Sequence, residues 1–264
     1  MKDFKNKTVW ITGASEGIGK ELAIQLANAG AKIVLTARNI EKLNAVKDSL
    51  DGEGHLVFPM DLLEADKIPA SVEELVSKMG AIDVLVNNAG VSQRSLVKDT
   101  LIDVDRRIME LDYFSIVSLT KSLLPHMTQR KSGLIIAISS VAGKVGTPMR
   151  SAYCAAKHAL IGFMDSLRAE VHKDNIKVMV VTPGSVQTNI SVNALEGDGK
   201  KHNVTDPLIA NGIPVEECVR RIIKGIKNET PELLIAQGKE KMAVYARRFV
   251  PRLLFKMMTR LQAT

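Results

Sequence analysis

An apolar run at residues 8–12 passes directly into Thr12-Gly13-Ala14-Ser15-Glu16-Gly17-Ile18-Gly19, and helical apolar spacing follows. A glycine-rich turn between a strand and a helix can place a pyrophosphate on the backbone amides of the helix N-terminus. Larger side chains would hold the phosphates away from those amides. The glycine spacing is not the commoner Gly-x-Gly-x-x-Gly, and an ordinary strand-to-helix turn is the alternative. We predict that a dinucleotide is bound by Gly13, Ser15, Gly17, Ile18 and Gly19.

Strand-like and helix-like segments alternate along the rest of the chain. Near-continuous apolar runs predict strands at 8–12, 32–36, 55–60, 83–86, 134–139, 177–182 and 232–236. Helical spacing predicts helices at 17–29, 40–50, 65–79, 101–129, 152–172 and 215–227. This order predicts the α/β class, with a single doubly wound parallel sheet of seven strands and helices on both faces. We expect one domain over residues 1–238, with a long loop at 189–213.

The positive charge is concentrated in a C-terminal extension at residues 239–264. The 264-residue chain has a formal net charge of +7, and this extension supplies +6 of it, with seven basic residues against Glu240. The remainder is nearly neutral, and only 4% of the residues are aromatic. These features argue against nucleic-acid binding, which uses a basic surface and aromatic stacking.

The extension also has an amphipathic pattern, which Pro251 should divide. Its apolar stripe consists of Met242, Tyr245, Phe249, Leu253, Met257 and Leu261. Its basic stripe consists of Arg248, Arg252, Lys256 and Arg260. Two interpretations are open. The apolar stripe packs on the body or on a partner subunit, or the extension lies on an anionic membrane as an interfacial helix.

Composition favours a reducing compartment and no metal centre. Two cysteines, Cys154 and Cys218, are too few for a disulfide framework at this length. We find no apolar run of 18 residues and no signal-peptide pattern, so we expect a cytoplasmic protein, with membrane contact at most peripheral. The five histidines show no metal-ligand spacing, and no bound metal is expected.

The end of the second predicted strand distinguishes between two nicotinamide cofactors. An acid is expected there when the ribose 2′-hydroxyl of NAD is recognised, but the sequence has Arg38 and no acid. A guanidinium can pair with the 2′-phosphate of NADP, so we predict NADP, with NAD less favoured. The carboxylate of Glu16 opposes this prediction unless it points away from the phosphate.

Residues after the third and fourth predicted strands should contact the same cofactor. Open α/β sheets bind ligands at the carboxyl ends of their strands. The candidates are Asp61, Leu62, Asn88, Ala89 and Gly90.

A serine, a tyrosine and a lysine form a candidate catalytic group. Ser140 ends the fifth predicted strand, Tyr153 follows thirteen residues later, and Lys157 lies four residues beyond Tyr153 on the same helix face. A free tyrosine has a pKa of about 10, and a nearby ammonium lowers that pKa. A general acid/base with a lowered pKa suits carbonyl reduction. Tyr153 and Lys157 alone could be surface residues without a catalytic role, but their position after a nucleotide-binding turn favours catalysis.

In these motifs the chain resembles the classical-type short-chain dehydrogenase/reductase family over nearly its whole length, and is most similar to hydroxysteroid and retinoid reductases. The resemblance implies a Rossmann-type sheet and direct hydride transfer without metal. It implies that Ser140 orients the substrate carbonyl and that Tyr153 donates or removes the hydroxyl proton. Lys157 would bind the nicotinamide ribose and depress the pKa of Tyr153. The nicotinamide end would lie against Pro183, Gly184, Val186 and Thr188.

One position departs from the family pattern. The family usually has an asparagine in the long helix before the fifth strand, where it holds a water in a proton relay with the lysine, and this chain has Asp112. A carboxylate can still order a water, or it can pair with Lys157 and alter its effect on Tyr153. We predict retained activity, with Asp112 as a modified relay member. The alternative is a catalytically weakened NAD(P)-binding sensor protein of the same fold.

These observations predict an NADP(H)-dependent oxidoreductase that interconverts an alcohol and a ketone or aldehyde. The substrate would be a small-molecule carbonyl or alcohol of lipophilic character. The loop at 189–213 mixes apolar and polar residues, which fits a lid over the pocket or a simple surface loop. The resemblance also implies a homodimer or homotetramer that pairs the helices at 101–129 and 152–172.

Overall fold

A computed structural model describes residues 3–259, which contain a parallel seven-stranded sheet. The strands are β1 Thr8–Thr12, β2 Lys32–Thr36, β3 Leu56–Val57, β4 Val84–Asn87, β5 Gly133–Ile138, β6 Ile176–Pro183 and β7 Glu232–Ile235. Their spatial order is β3-β2-β1-β4-β5-β6-β7, and all neighbouring pairs are parallel. The predicted doubly wound, Rossmann-type sheet is therefore confirmed.

Ten α-helices lie within the described residues. They are α1 Gly17–Asn28, α2 Ile40–Lys47, α3 Ile68–Met79, α4 Ile102–Met109, α5 Ser115–Arg130, α6 Ser151–Glu170, α7 Pro207–Ala210, α8 Val215–Lys227, α9 Gly238–Phe249 and α10 Pro251–Met258. One apolar core packs α1, α2 and α8 on one face of the sheet, and a second core packs α3, α5 and α6 on the other. The strands are apolar on both faces because both faces are covered.

The order of the strands reverses beside β1. The chain runs from β1 outward to β3 and then returns to place β4 on the other side of β1. Helices following β1 and β4 cover opposite faces, so a crevice opens at the carboxyl ends of these two strands. The predicted phosphate-binding turn lies at this crevice.

Two predicted elements differ from those observed. The strand predicted at 55–60 is reduced to Leu56–Val57, because Pro59 has no N–H to donate to a ladder. The helix predicted at 101–129 is interrupted between α4 and α5 by a π-helical turn, Glu110–Phe114. Such turns widen a helix by one residue and often occur at functional sites. This turn contains Asp112.

The C-terminal extension forms α9 and α10, and Pro251 begins the second helix, as the division at that residue predicts. The predicted stripe members Arg260 and Leu261 lie outside the described residues. No helix within residues 3–259 is long and apolar enough to cross a membrane.

Candidate active site

The glycine turn joins the ends of β1 and β4. Gly13 has a φ of +64°, and a Cβ placed on it would lie 2.9 Å from the Cα of Ala89, so a larger residue would be strained and would clash. Asn88 donates from Nδ2 to the carbonyls of Thr12 at 2.9 Å and Gly13 at 3.1 Å. The Thr12 hydroxyl accepts from the backbone N–H groups of Asn88 and Ala89. These contacts fix the base of the crevice.

The N-terminus of α1 is available to an anion. No side chain among the described residues caps it, and its first turn contains no acid. Glu16, the residue at the cap position, accepts from Asn193 Nδ2 at 2.6 Å and lies 3.6 Å from Lys42 Nζ. The Glu16 carboxylate therefore has an amide and a cation as partners, although it still lines the cavity. The free N–H groups and the helix dipole fit a pyrophosphate at this point.

A cavity of about 800 Å³ extends from this helix end across the carboxyl edge of the sheet. Of the nineteen predicted site residues, all but Gly19 line it: Gly13, Ser15, Gly17, Ile18, Arg38, Asp61, Leu62, Asn88, Ala89, Gly90, Asp112, Ser140, Tyr153, Lys157, Pro183, Gly184, Val186 and Thr188. Gly19 lies beneath the turn, where a Cβ would collide with the Gly13 carbonyl oxygen and Asn88 Nδ2. It is needed for packing α1 against the turn.

Two basic side chains, accompanied by the carboxylates of Glu16 and Asp61, line the end of the cavity near β2 and β3. Arg38 follows β2, and Lys42 lies in the first turn of α2. Asp61 accepts from the Leu63 N–H at 3.1 Å, which fixes its side chain at the cavity wall. Lys42 was not among the predicted site residues, although its position four residues after Arg38 was a usable signal.

The serine, tyrosine and lysine meet at the middle of the cavity. Lys157 Nζ lies 5.7 Å from the centre of the Tyr153 ring. The Ser140 hydroxyl accepts from the Ala142 N–H at 3.1 Å and lies on the wall of the same cavity as Tyr153, where it lowers the pKa of the phenol. The neighbouring Ser139 instead donates to the Lys157 carbonyl at 3.1 Å, which anchors α6 to β5. This geometry favours Ser140 over Ser139 as the residue that faces substrate.

Asp112 forms a buried ion pair with Lys157. Lys157 Nζ lies 3.1 Å from Asp112 Oδ2, and both side chains are almost fully buried. The other carboxylate oxygen accepts from the Val91 N–H at 2.8 Å. A Cβ on Gly90 would lie 2.7 Å from Oδ2 and 3.2 Å from Nζ, so only glycine leaves room for the pair. Of the two possibilities open in the sequence, direct pairing with Lys157 is the one observed.

The pair changes the acid–base balance of the site. Complete burial raises the pKa of the Asp112 carboxyl, although Lys157 and the Val91 N–H act in the opposite direction. Burial is the largest single effect on Lys157 and disfavours its charged form, but Asp112 and Tyr153 together outweigh it, and the pKa of Lys157 is raised. The pKa of Tyr153 is also raised: desolvation is the largest cause, Lys157 lowers the pKa, and the Asp112 carboxylate opposes Lys157.

The loop at 189–213 is attached to the body by polar contacts, and α7 interrupts it. One oxygen of Asp206 pairs with Arg94 at 3.1 Å and with Arg150 at 2.8 Å. Leu195 exchanges backbone hydrogen bonds with Ser92 and Arg94. Towards this loop the cavity wall is mixed, with the polar side chains of Asn189, Asn193 and Lys201 and the apolar side chains of Val91, Leu111, Ile190, Leu195 and Ile209. Sequence reasoning missed Arg94 and Asp206, which lie 112 positions apart.

The arrangement matches one protein family. The sequence model for short chain dehydrogenase matches residues 7–199. The chain belongs to the short-chain dehydrogenase/reductase family. It is 42% identical over 260 residues to dehydrogenase/reductase SDR family member 7B of Mus musculus, covering 96% of this chain and 80% of that protein.

Solved structures of short-chain dehydrogenases share the fold. A metagenomic short-chain oxidoreductase in complex with NADP is 28% identical, with a TM-score of 0.72 over 88% of this chain and 97% of its own. A short-chain dehydrogenase/reductase from Burkholderia phymatum in complex with NAD is 19% identical, with a TM-score of 0.84 over 96% of both chains. The chain is an oxidoreductase acting on CH–OH groups with a nicotinamide cofactor.

Proposed function

We propose that the protein is an NADP(H)-dependent reductase that interconverts an alcohol and a ketone or aldehyde, with Tyr153 as general acid/base. The observation that carries this proposal is the position of Tyr153, whose ring centre lies 5.7 Å from the Lys157 ammonium, on the wall of the cavity that Ser140 also lines. No other tyrosine among residues 3–259 lines this cavity.

Each side chain has a role in moving one proton. The Ser140 hydroxyl would donate to the substrate carbonyl oxygen and orient it beside the Tyr153 phenol. Tyr153 would give its proton to that oxygen during reduction and take it back during oxidation. The Lys157 ammonium would stabilise the phenolate, and Asp112 would hold Lys157 in place. The bound nicotinamide supplies or accepts the hydride.

NADP preference is supported by the charges at the end of β2. Arg38 and Lys42 line the cavity there, and Glu16, an acid that lines the same cavity, is paired with Asn193 and Lys42. Arg38→Ala should weaken NADPH binding about tenfold or more, because it removes a charge-assisted contact, while NADH binding stays unchanged. Fluorescence titration measures both. Arg221→Ala on α8 is the control, and equal losses for both cofactors would contradict the preference.

Turnover with a carbonyl panel tests the catalytic role. NADPH oxidation should be measured with aliphatic ketones and aldehydes of increasing chain length. Apolar lining by Val91, Leu111, Leu195 and Ile209 supports lipophilic substrates. Tyr153→Phe should reduce kcat about 10²- to 10⁴-fold and leave NADPH binding intact. Tyr245→Phe, on the exposed face of α9, is the matched control. Equal turnover of Tyr153→Phe and wild type would refute the role of Tyr153.

A catalytically weakened nucleotide sensor remains the second candidate, because the Asp112–Lys157 pair opposes ionisation of Tyr153. The two candidates predict different results in the same assay. The sensor binds NADPH and shows no turnover with any carbonyl, whereas the enzyme shows both.

We also propose a cytoplasmic homodimer or homotetramer. The exposed apolar side chains of Val97, Ile102 and Phe114 lie along α4 and its flanks, beside the predicted pairing helices. A second copy would cover them. Sedimentation velocity should show a dimer or tetramer that Phe114→Glu weakens, and a monomeric wild type would contradict this proposal.

We further propose that α9 and α10 contact an anionic lipid surface. Met242, Tyr245, Phe249, Leu253 and Met257 are each more than half exposed, so the apolar stripe is not packed on the body. The six basic side chains of the extension within the described residues are all exposed as well: Lys239, Lys241, Arg247, Arg248, Arg252 and Lys256. Exposed apolar residues surrounded by cations suit a bilayer surface of negative charge.

Vesicle co-sedimentation tests this contact. Wild type should pellet with phosphatidylserine-containing vesicles more than with pure phosphatidylcholine vesicles, and added salt should weaken the binding. Arg248→Glu with Arg252→Glu should abolish it, and Lys224→Glu on α8 is the control. Equal sedimentation of the double variant and the wild type would exclude the extension as the lipid-binding surface.

A further inference from the structure

Glu240, the one acid of the C-terminal extension, binds the turn that follows β6. Its Oε1 and Oε2 atoms each lie 3.0 Å from the backbone N of Ser185, and Oε1 accepts from the Ser185 hydroxyl at 2.7 Å. The neighbouring basic residues Lys239 and Lys241 are exposed, whereas Glu240 is partly buried. The extension therefore presents its cations outward and turns its carboxylate towards the body.

The carboxylate also lies directly against a residue of the cofactor cavity. A Cβ on Gly184 would collide with Glu240 Oε2, and Gly184 lines the cavity next to Pro183. Glycine at this position thus serves two contacts, one facing the cavity and one facing α9. From the sequence, Gly184 was expected only at the nicotinamide end, and nothing in the sequence relates it to Glu240, which lies 56 positions later.

Backbone hydrogen bonds, and one side-chain bond from Gln187 Nε2 to the Ala210 carbonyl at 3.2 Å, also support this turn. Gly184 N–H donates to the Ile235 carbonyl at 2.8 Å, and the Ile213 N–H donates to the Ser185 carbonyl at 2.9 Å. Glu240 is the acceptor that the described residues offer to the Ser185 N–H. Removing the carboxylate would leave this donor without a protein partner and would free the turn on the side of α9.

We propose that Glu240 is a positioning residue for cofactor binding. It holds the 184–188 turn against the cavity and makes α9 part of the cofactor site. The inference rests on the proposed binding of NADP(H) in this cavity. Glu240 does not touch the reacting atoms in this arrangement. It acts through Ser185 and Gly184 on Val186 and Thr188, which line the cavity further along the same turn.

Fluorescence titration with NADPH tests the proposal in the full chain. Glu240→Ala should raise the Kd for NADPH about tenfold, since charge-assisted hydrogen bonds are lost from a turn that lines the site. Glu240→Gln, which keeps an oxygen acceptor, should recover part of the affinity. Ser185→Ala, which removes the hydroxyl contact alone, should fall between wild type and Glu240→Ala. In steady-state assays the KM for NADPH should rise while the KM for the carbonyl stays unchanged.

Glu232→Ala is the matched control. Glu232 is a carboxylate on β7 that pairs with Lys144 at 2.7 Å and does not line the cavity. Its removal should leave the Kd for NADPH unchanged. If Glu240→Ala does not fold, as judged by circular dichroism, the Glu240→Gln and Ser185→Ala variants decide the question.

Three results would overturn the inference. The first is wild-type NADPH affinity in all variants at Glu240 and Ser185, and the second is an equal loss in Glu232→Ala. The third is a rise in the KM for the carbonyl with no change in the KM for NADPH. Failure of wild type to bind either NADPH or NADH would instead refute the proposed function, and the inference would fall with it. If wild type binds NADPH and one of these three results is obtained, the inference alone is refuted and the proposed function stands.

Discussion

Replacing Asp112 by asparagine removes the carboxylate whose Oδ2 lies 3.1 Å from the Lys157 ammonium. The carboxylate acts on Tyr153 as a like charge, because deprotonation of the phenol creates a second anion nearby. It also neutralises the ammonium that would otherwise favour the phenolate. Both effects raise the pKa of Tyr153, so Asp112→Asn should lower that pKa.

The distances set the size of the effect. Lys157 Nζ is 5.7 Å from the Tyr153 ring centre, and adding its 3.1 Å to Asp112 Oδ2 places the carboxylate at most about 8.8 Å from the ring centre. With an effective dielectric constant of ~20, two unit charges at that separation interact by about 2 kcal/mol. This corresponds to a fall of somewhat more than one unit in the pKa of Tyr153.

The pH dependence of alcohol oxidation measures the shift. With Tyr153 as the proposed base, oxidation requires the phenolate, so kcat/KM should rise with pH through an apparent pKa that belongs to the coupled Tyr153–Lys157 group. In Asp112→Asn this rising limb should move about one unit towards lower pH, and the rate below the limb should increase about tenfold. Asp103→Asn, an exposed acid on α4, is the matched control and should leave the limb in place.

Two outcomes would refute this reasoning. A limb at the same pH in Asp112→Asn and wild type would show that the carboxylate does not influence the phenol. A limb displaced to higher pH would show that Asp112 acts mainly by keeping Lys157 protonated. Wild type should itself turn over, and a variant that gains ordinary activity from an inactive wild type would contradict the predicted role of Asp112 as a working relay member.

Three further predictions concern the scaffold of the site. Gly13→Ala should abolish NADPH binding in a titration, because the new Cβ would press on Ala89 at 2.9 Å and shift the phosphate-binding turn. Leu85→Ala, at a fully buried position of β4, should lower the free energy of unfolding by about 3 kcal/mol in urea denaturation. Asp206→Asn should raise the KM for the carbonyl, with little change in the KM for NADPH, because it weakens the attachment of the 189–213 loop to two arginines; equal changes in both constants would argue against this role.

Much of the fold could be predicted because its signals are local. The strand, glycine turn and helix around Gly13 and Gly17 follow one another within twelve residues, and backbone sterics at positive φ restrict such turns to glycine. The apolar runs of β1, β4 and β5 are continuous because both sheet faces are covered, and this pattern is visible without coordinates. The shortening of β3 was predictable too, since Pro59 stands within the run.

The candidate site was predictable where its residues follow the carboxyl ends of strands. Ser140, Asn88 and Arg38 each end or follow a strand, and parallel strands bring such positions to one edge. Tyr153 and Lys157 could be paired because they lie one helical turn apart. The ion pair between Asp112 and Lys157 could be named only as one of two possibilities, since the choice depends on a π-helical turn and on the space beside Gly90.

The order of elements, the glycine turn after β1 and the spacing of the tyrosine and lysine were determined by the sequence, because each depends on neighbours within a few residues. The tertiary structure alone decided that Glu16 turns to Asn193, that Asp206 joins Arg94 to Arg150, and that Glu240 binds Ser185. These contacts join residues from 55 to 177 positions apart. The sequence does not identify the partner of a polar side chain, because the pair forms only when packing brings the two residues together and removes competing water.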